Sequence, residues 1–115
     1  MSVFRYVNAK TDLTTTDATD VYTCPAKSVA IIDSIFVSED SGNADTITLT
    51  IIDAASSPAP FSLYKTKSVS ANGTAELITH NGIYLTAGEK IVGTAATANR
   101  LHIVASIRET YIGTG

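Results

Sequence analysis

The sequence predicts an all-β fold: a single-domain antiparallel β-sandwich or jelly roll of about eight strands, preceded by an N-terminal arm. Three observations carry this. Apolar and polar residues alternate strictly in several segments, as a half-buried strand requires. Turn-forming Gly, Asn, Asp and Pro recur at intervals of roughly 8–12 residues. No segment shows a convincing 3.6-residue period, so nothing competes for a helix.

Taken in order, residues 1–18 open on a short strand pattern, Phe4-Arg5-Tyr6-Val7, and pass into a Thr- and Asp-rich connector. They are read as an N-terminal strand or arm that becomes ordered on a neighbour, with the sandwich domain spanning residues 19–115. From Val21 the strand signals become dense. In residues 29–37, Val29, Ile31, Ile35 and Val37 share one face with Asp33 among them. Ile32 and Phe36 lie on the other face with Ala30 and Ser34. Apolar residues on both faces imply that both are covered, and the cover is either the arm or another subunit. Ile32 and Phe36 are therefore candidates for a covered second face. A partner, or a bulge that turns it outward, accounts for Asp33.

Ile47, Leu49 and Ile51 alternate with Thr46, Thr48 and Thr50, giving an apolar face and a threonine face. In residues 61–70, Lys65 and Lys67 stand at alternate positions beside Leu63 and Val69. Lysines so placed blunt a sheet edge against unwanted pairing, which predicts an edge strand. Near the C-terminus Leu101, Ile103, Ala105 and Ile107 alternate with His102, Val104, Ser106 and Arg108. Turns are expected at 40–44, 54–60, 71–73, 80–82, 87–89 and 96–100.

Composition narrows the function. One domain is natural for 115 residues. The single cysteine, Cys24, makes no internal disulfide, and its place before Pro25 reads as a small buried apolar residue. A net charge of −3 with dispersed Lys and Arg lacks the basic cluster that nucleic acid demands. No apolar run approaches the roughly 18 residues that span a bilayer, and the first residues hold no signal-peptide core. The expectation is a soluble protein with neither a nucleic-acid nor a membrane partner. Charged residues are only 17% of the chain, which fits a surface packed against other proteins.

Chemistry-bearing residues give no constellation. His80 sits in a turn and His102 on a polar strand face, and neither has Cys or carboxylate at metal-ligand spacing. Residues 39–45 offer oxygen atoms in a short loop, but their spacing is that of a hairpin turn and not of an EF-hand. Asn72-Gly73-Thr74 matches a glycosylation sequon and is read as a turn. No serine lies in a nucleophile elbow. Tyr22, Tyr64 and Tyr84 are scattered over separate strands, where each is expected to pack in a core or interface with its hydroxyl at the rim. No catalytic, cofactor-binding or metal-binding residue is nominated, no cofactor is expected, and an enzyme is not predicted.

Residues 21–38 carry Val21-Tyr22-Thr23-Cys24-Pro25-Ala26 leading into a long apolar strand, and residues 82–109 carry a matching tail with Ala87-Gly88-Glu89 and Ala98-Asn99-Arg100. Together these resemble small β-sandwich virion structural proteins of tailed bacteriophages. The resemblance implies a sandwich that assembles with itself, as a dimer or trimer, and with the major capsid protein or other virion proteins. It points first to capsid decoration, or cement, on the outside of the head, in a particle assembled in the host cytoplasm. A neck, tail or baseplate component is the alternative within that class, and a glycan-binding attachment module the alternative outside it. Phe4, Tyr6, Ile32, Phe36, Lys65 and Lys67 are the candidate interface residues.

Overall fold

A computed structural model describes residues 3–55, 57–80 and 82–113. Met1, Ser2, Ser56 and Asn81, which belong to the expected arm and turns, lie outside the described residues. Nine strands follow one another: β1 Val3–Asp12, β2 Thr19–Thr23, β3 Ser28–Glu39, β4 Asp45–Ile52, β5 Pro60–Val69, β6 Thr74–Ile78, β7 Ile83–Thr86, β8 Lys90–Ala95 and β9 Leu101–Tyr111. They form two antiparallel sheets, ordered β1-β9-β3-β6, with β7 also on β3, and β2-β8-β4-β5. β6 pairs with Ile35–Ser38, and β7 with Val29–Ile32. The two are thus successive segments of one edge position, interrupted at 79–82. Counted as one, they leave two four-stranded sheets joined by strands that cross from one to the other, apart from the β4–β5 hairpin. That winding is a jelly roll.

The alternation read from the sequence places the core. Ile47 and Leu49 of β4 are fully buried, as are Leu101, Ile103, Ala105 and Ile107 of β9. Each Leu and Ile among them contributes roughly 1.5–3 kcal/mol by leaving water. Gly93 of β8 lets the sheets approach closely, since a Cβ there would stand 2.6 Å from Ile103 Cδ1. β5 lies at a sheet edge with Lys65 and Lys67 exposed, as their alternation predicts.

Two expectations are corrected. The first concerns β3. Its pairing with β9 slips between Ile32 and Ser34, so Asp33 is an extra, bulged residue. A bulge reverses the inside–outside parity of everything after it. Ala30 and Ile32 therefore point inward before the bulge, and Ile35 and Val37 point inward after it, all with no exposure. Ile32 belongs to the chain's own core and cannot face another subunit. The outward face of β3 is Val29, Ile31, Ser34 and Phe36.

The second concerns the arm. Residues 3–12 pair with β9 in one unbroken register, from Val3 opposite Tyr111 to Asp12 opposite His102. Leu13 then plugs into the core with no exposure, its N–H donating to Leu101 O and its O accepting from Asn99 N–H. The first strand is already part of the sandwich, with one side packed and the other exposed, and the connector 14–18 after it is exposed throughout. The apolar side of β1 supplies the binding that its short sequence pattern did not advertise, because Val7 and Ala9 pack against the core.

Candidate functional site

Register fixes what each sheet shows to the outside. Residues directly opposite in antiparallel strands share a face. Along the first sheet, Tyr6 lies opposite Arg108, Arg108 opposite Ile31, and Ile31 opposite Tyr84. On one side the next row runs Phe4, Thr110, Val29, Thr86; on the other a polar row, Asn8, Ser106, Ser34, comes first and Lys10, Val104, Phe36, Glu76 lie beyond it. The result is a broad outer face with large apolar side chains. Tyr6 is 78% exposed, Tyr84 69% and Phe4 51%, while Ile31, Phe36 and Val104 are half-buried. The Phe4 and Tyr6 rings meet edge-to-face, with centroids 5.1 Å apart. Arg108 holds the bulged Asp33 in a fork, its Nε 3.1 Å from both carboxylate oxygens. This pair is half-exposed and neutralises the middle of the face.

The second sheet is the opposite case. Its outer face carries Thr46, Thr48, Thr50 and Thr94, with Thr48 directly opposite Thr94. One side of the sandwich is thus suited to water and the other to a neighbour.

Of the six interface candidates, Phe4, Tyr6 and Phe36 converge on the aromatic face. Lys65 and Lys67 lie on the edge of the other sheet, and Ile32 is in the core. Sequence reasoning missed Ile31, Val104 and Tyr84 as members of this face. The strict alternation of Tyr84 with buried Leu85 carries a signal for the last, but only once the face of its partner strand is known.

Two buried carboxylates organise the ends of the sandwich. Glu109 of β9, 5% exposed, accepts a hydrogen bond from Arg5 Nε at 2.7 Å and another from the Tyr22 hydroxyl. It ties β1 of one sheet to β2 of the other. Burial first, and the Glu109 contact second, push the Tyr22 phenol well above its ordinary range. Pairing with Glu109 likewise raises Arg5 further. Beside this cluster opens a hollow of about 470 Å³ lined by Arg5, Pro25, Ala26, Ser28, Glu109 and Tyr111.

At the other end Glu39, 2% exposed, accepts backbone N–H bonds from Ser41 at 2.7 Å, Gly42 at 3.1 Å and Asn72 at 3.0 Å, and a bond from the Ser41 hydroxyl. Burial alone would raise its pKa, but these donors outweigh it and hold the carboxyl down at about 2. The loop read as oxygen-rich therefore spends its first carboxylate on stapling residues 39–42 to the 70–73 turn.

Other polar groups are similarly occupied. His102 lies between Asp12 and Asp40, with ring nitrogens 3.3 and 3.5 Å from their oxygens. Cys24 is 1% exposed, its Sγ facing the Ser28 carbonyl at 3.5 Å, and burial raises the thiol's pKa, which leaves it a poor nucleophile. The Tyr64 hydroxyl donates to Leu77 O at 2.7 Å. Among the described residues, no three His, Cys, Asp or Glu side chains gather as a metal ligand set. No described helix is long and apolar enough to cross a membrane.

No protein-family model matches the chain, and no curated protein matches it by sequence. Solved structures do match in fold. One is a protein of the disulfide-linked pili that form Bacillus endospore appendages, at 11% identity and TM-score 0.58, covering 97% of this chain and 89% of that one. A second is a chain of infectious bursal disease virus, Gx strain, at 9% identity and TM-score 0.58; it covers 99% of this chain, which spans only 33% of its length. A third is a chain in the capsid of Helicobacter pylori bacteriophage KHP30, at 9% identity and TM-score 0.51, covering 98% of this chain and 94% of that one. At such identities the likeness is one of fold: a jelly roll shared with building blocks of capsids and of a pilus.

Proposed function

We propose that this chain is a structural protein of a bacteriophage particle, and most directly a capsid decoration protein that binds the outside of the head and stabilises the lattice. The observation that carries the reading is the asymmetry of the sandwich: an aromatic and aliphatic face on one sheet, a threonine face on the other. A decoration protein needs that division, one side for the shell and one for solvent. The resemblance of residues 21–38 and 82–109 to phage virion proteins supports it. So does the fold shared with a capsid chain of nearly the same length. The net charge of −3 disfavours a place against packaged DNA and favours the exterior. Each copy contributes a modest contact, and many copies on one lattice add through multivalency. Partners in this reading are the major capsid protein and further copies of the chain. The protein works by binding, not by catalysis.

The test is cosedimentation of the purified protein with phage heads, followed by imaging of the complex. Extra density on the head surface is the expected result. Density confined to the neck, tail or baseplate moves the protein to that place within the particle. A protein found on no part of the particle ends the virion reading.

A further inference from the structure

Four strand edges border the two sheets, and three are defended against pairing. β5 carries exposed Lys65 and Lys67, slips register twice against β4, and holds Thr66 at φ 50°, a conformation that a β-branched residue rarely adopts. β2 has only five residues and slips between Asp20 and Tyr22. β6 and β7 are five and four residues long, with a break between them. β1 differs from all three. Its ten residues hold a single register with β9, contain no proline or bulge, and pair with no other described strand. Every second N–H and C=O along it points away from β9. The strand is also fixed in place, by Arg5 on Glu109 near one end and by Leu13 in the core just beyond the other. It is a rigid, regular edge, with Arg5 turned to Glu109 and Lys10 as its one remaining cation.

We infer that β1 pairs antiparallel with β1 of a second copy about a two-fold axis, with Asn8 facing Asn8 of the partner subunit. Strand chemistry fits this register. Moving the partner strand by one residue would set the outer face of one copy beside the inner face of the other; moving it by two keeps the faces matched but places Lys10 opposite the partner's Phe4 or Asn8 instead of Tyr6. With Asn8 on the axis, the nine residues Phe4–Asp12 are paired. Lys10 lies across from the partner's Tyr6, ammonium against an exposed ring. Arg5 meets the partner's Thr11, and Val7 meets the partner's Ala9. No like charges face each other directly. The two first sheets then become one sheet of eight strand positions, and both aromatic faces lie on the same side. Phe4 and Tyr6 of each copy stand beside the axis. The self-association put forward above thus acquires a defined interface, and the head would meet one doubled surface. This inference rests on that reading only for the last step.

The experiment uses the full chain. Light scattering after size exclusion at tens of micromolar should give twice the 12.0 kDa chain mass. Asn8→Lys, an exposed site, sets two ammonium groups opposite each other and should return the mass to that of one chain with an unchanged circular dichroism spectrum. Asn8→Cys under mild oxidation should yield a covalent dimer, because Cα atoms directly opposite lie within disulfide reach. Wild type should not cross-link, since Cys24 is buried. A monomeric wild type, a dimer that persists in Asn8→Lys, or no cross-linking of Asn8→Cys overturns the inference. A monomer that still binds heads sinks the dimer and spares the decoration role. A β1-paired dimer that ignores heads does the reverse.

Discussion

Tyr22→Phe isolates one hydrogen bond that joins the two sheets at one end of the sandwich. The ring is kept, so packing against the core changes little, and only the hydroxyl that donates to Glu109 is lost. Glu109 is 5% exposed, which leaves a buried carboxylate with Arg5 as its remaining described partner. A hydrogen bond to a charged group contributes about 1.5–3 kcal/mol. For 115 residues the unfolding entropy near the midpoint is about 0.24 kcal/mol per kelvin, so the melting temperature should fall by roughly 6–12 °C. Denaturant titration should show a lower midpoint at unchanged slope, because the surface exposed on unfolding is the same. The pH dependence adds a second arm. The folded state raises the phenol's pKa above its ordinary value of about 10, so this stabilisation is full below pH 10 and fades as pH rises beyond it. The advantage of wild type over Tyr22→Phe should narrow in that range. A melting temperature within about 2 °C of wild type would refute the claim that Glu109 depends on Tyr22.

The remaining predictions concern the other end of the molecule and the bulge. Glu39 is held at about 2, below its ordinary carboxyl value, so its contribution is complete above about pH 4.5 and is lost as pH falls from there toward 2. Glu39→Gln should be less stable than wild type at pH 7, and the gap should shrink in acid; melting curves at pH 7 and pH 3 decide it. Ile32→Ala should cost about 2–5 kcal/mol as a core truncation, whereas Ile31→Ala, on the outer face, should cost less than about 1.5. Equal costs in urea titrations would show that the bulge does not set the parity of β3.

How far the sequence went depends on whether a contact is local. β4 and β9 were legible because each alternates without interruption, so inside and outside follow from counting by two. β3 was only half legible. Its apolar residues on two faces were visible and a bulge at Asp33 was one of the accounts open for that residue, but counting straight across it misplaced Val29, Ala30, Ile31 and Ile32. The outward apolar face exists, with Ile31 where Ile32 was expected. β1 was underestimated because its register comes from β9, about a hundred residues away. The same distance hid the Arg5–Glu109–Tyr22 cluster, whose members are unremarkable separately and meet only when the two sheets close. Glu39 looked like part of an oxygen-rich turn, and its occupation by backbone N–H groups depends on a second turn that only folding brings alongside.

The break between β6 and β7 has a practical reach. It lies on the flank farthest from β1, where His80 is exposed at φ 56° and the ladder along β3 is already discontinuous. A foreign peptide spliced in just after His80 would lengthen an existing gap and, among the described residues, sever no strand pairing, at an entropic penalty that grows only slowly with its length. Gly82 has to be retained beneath such a graft, since a side chain there would press within 2.8 Å of Ile78 Cγ2. In a two-fold pair the grafts would emerge at opposite rims, which makes this flank the natural place to carry cargo.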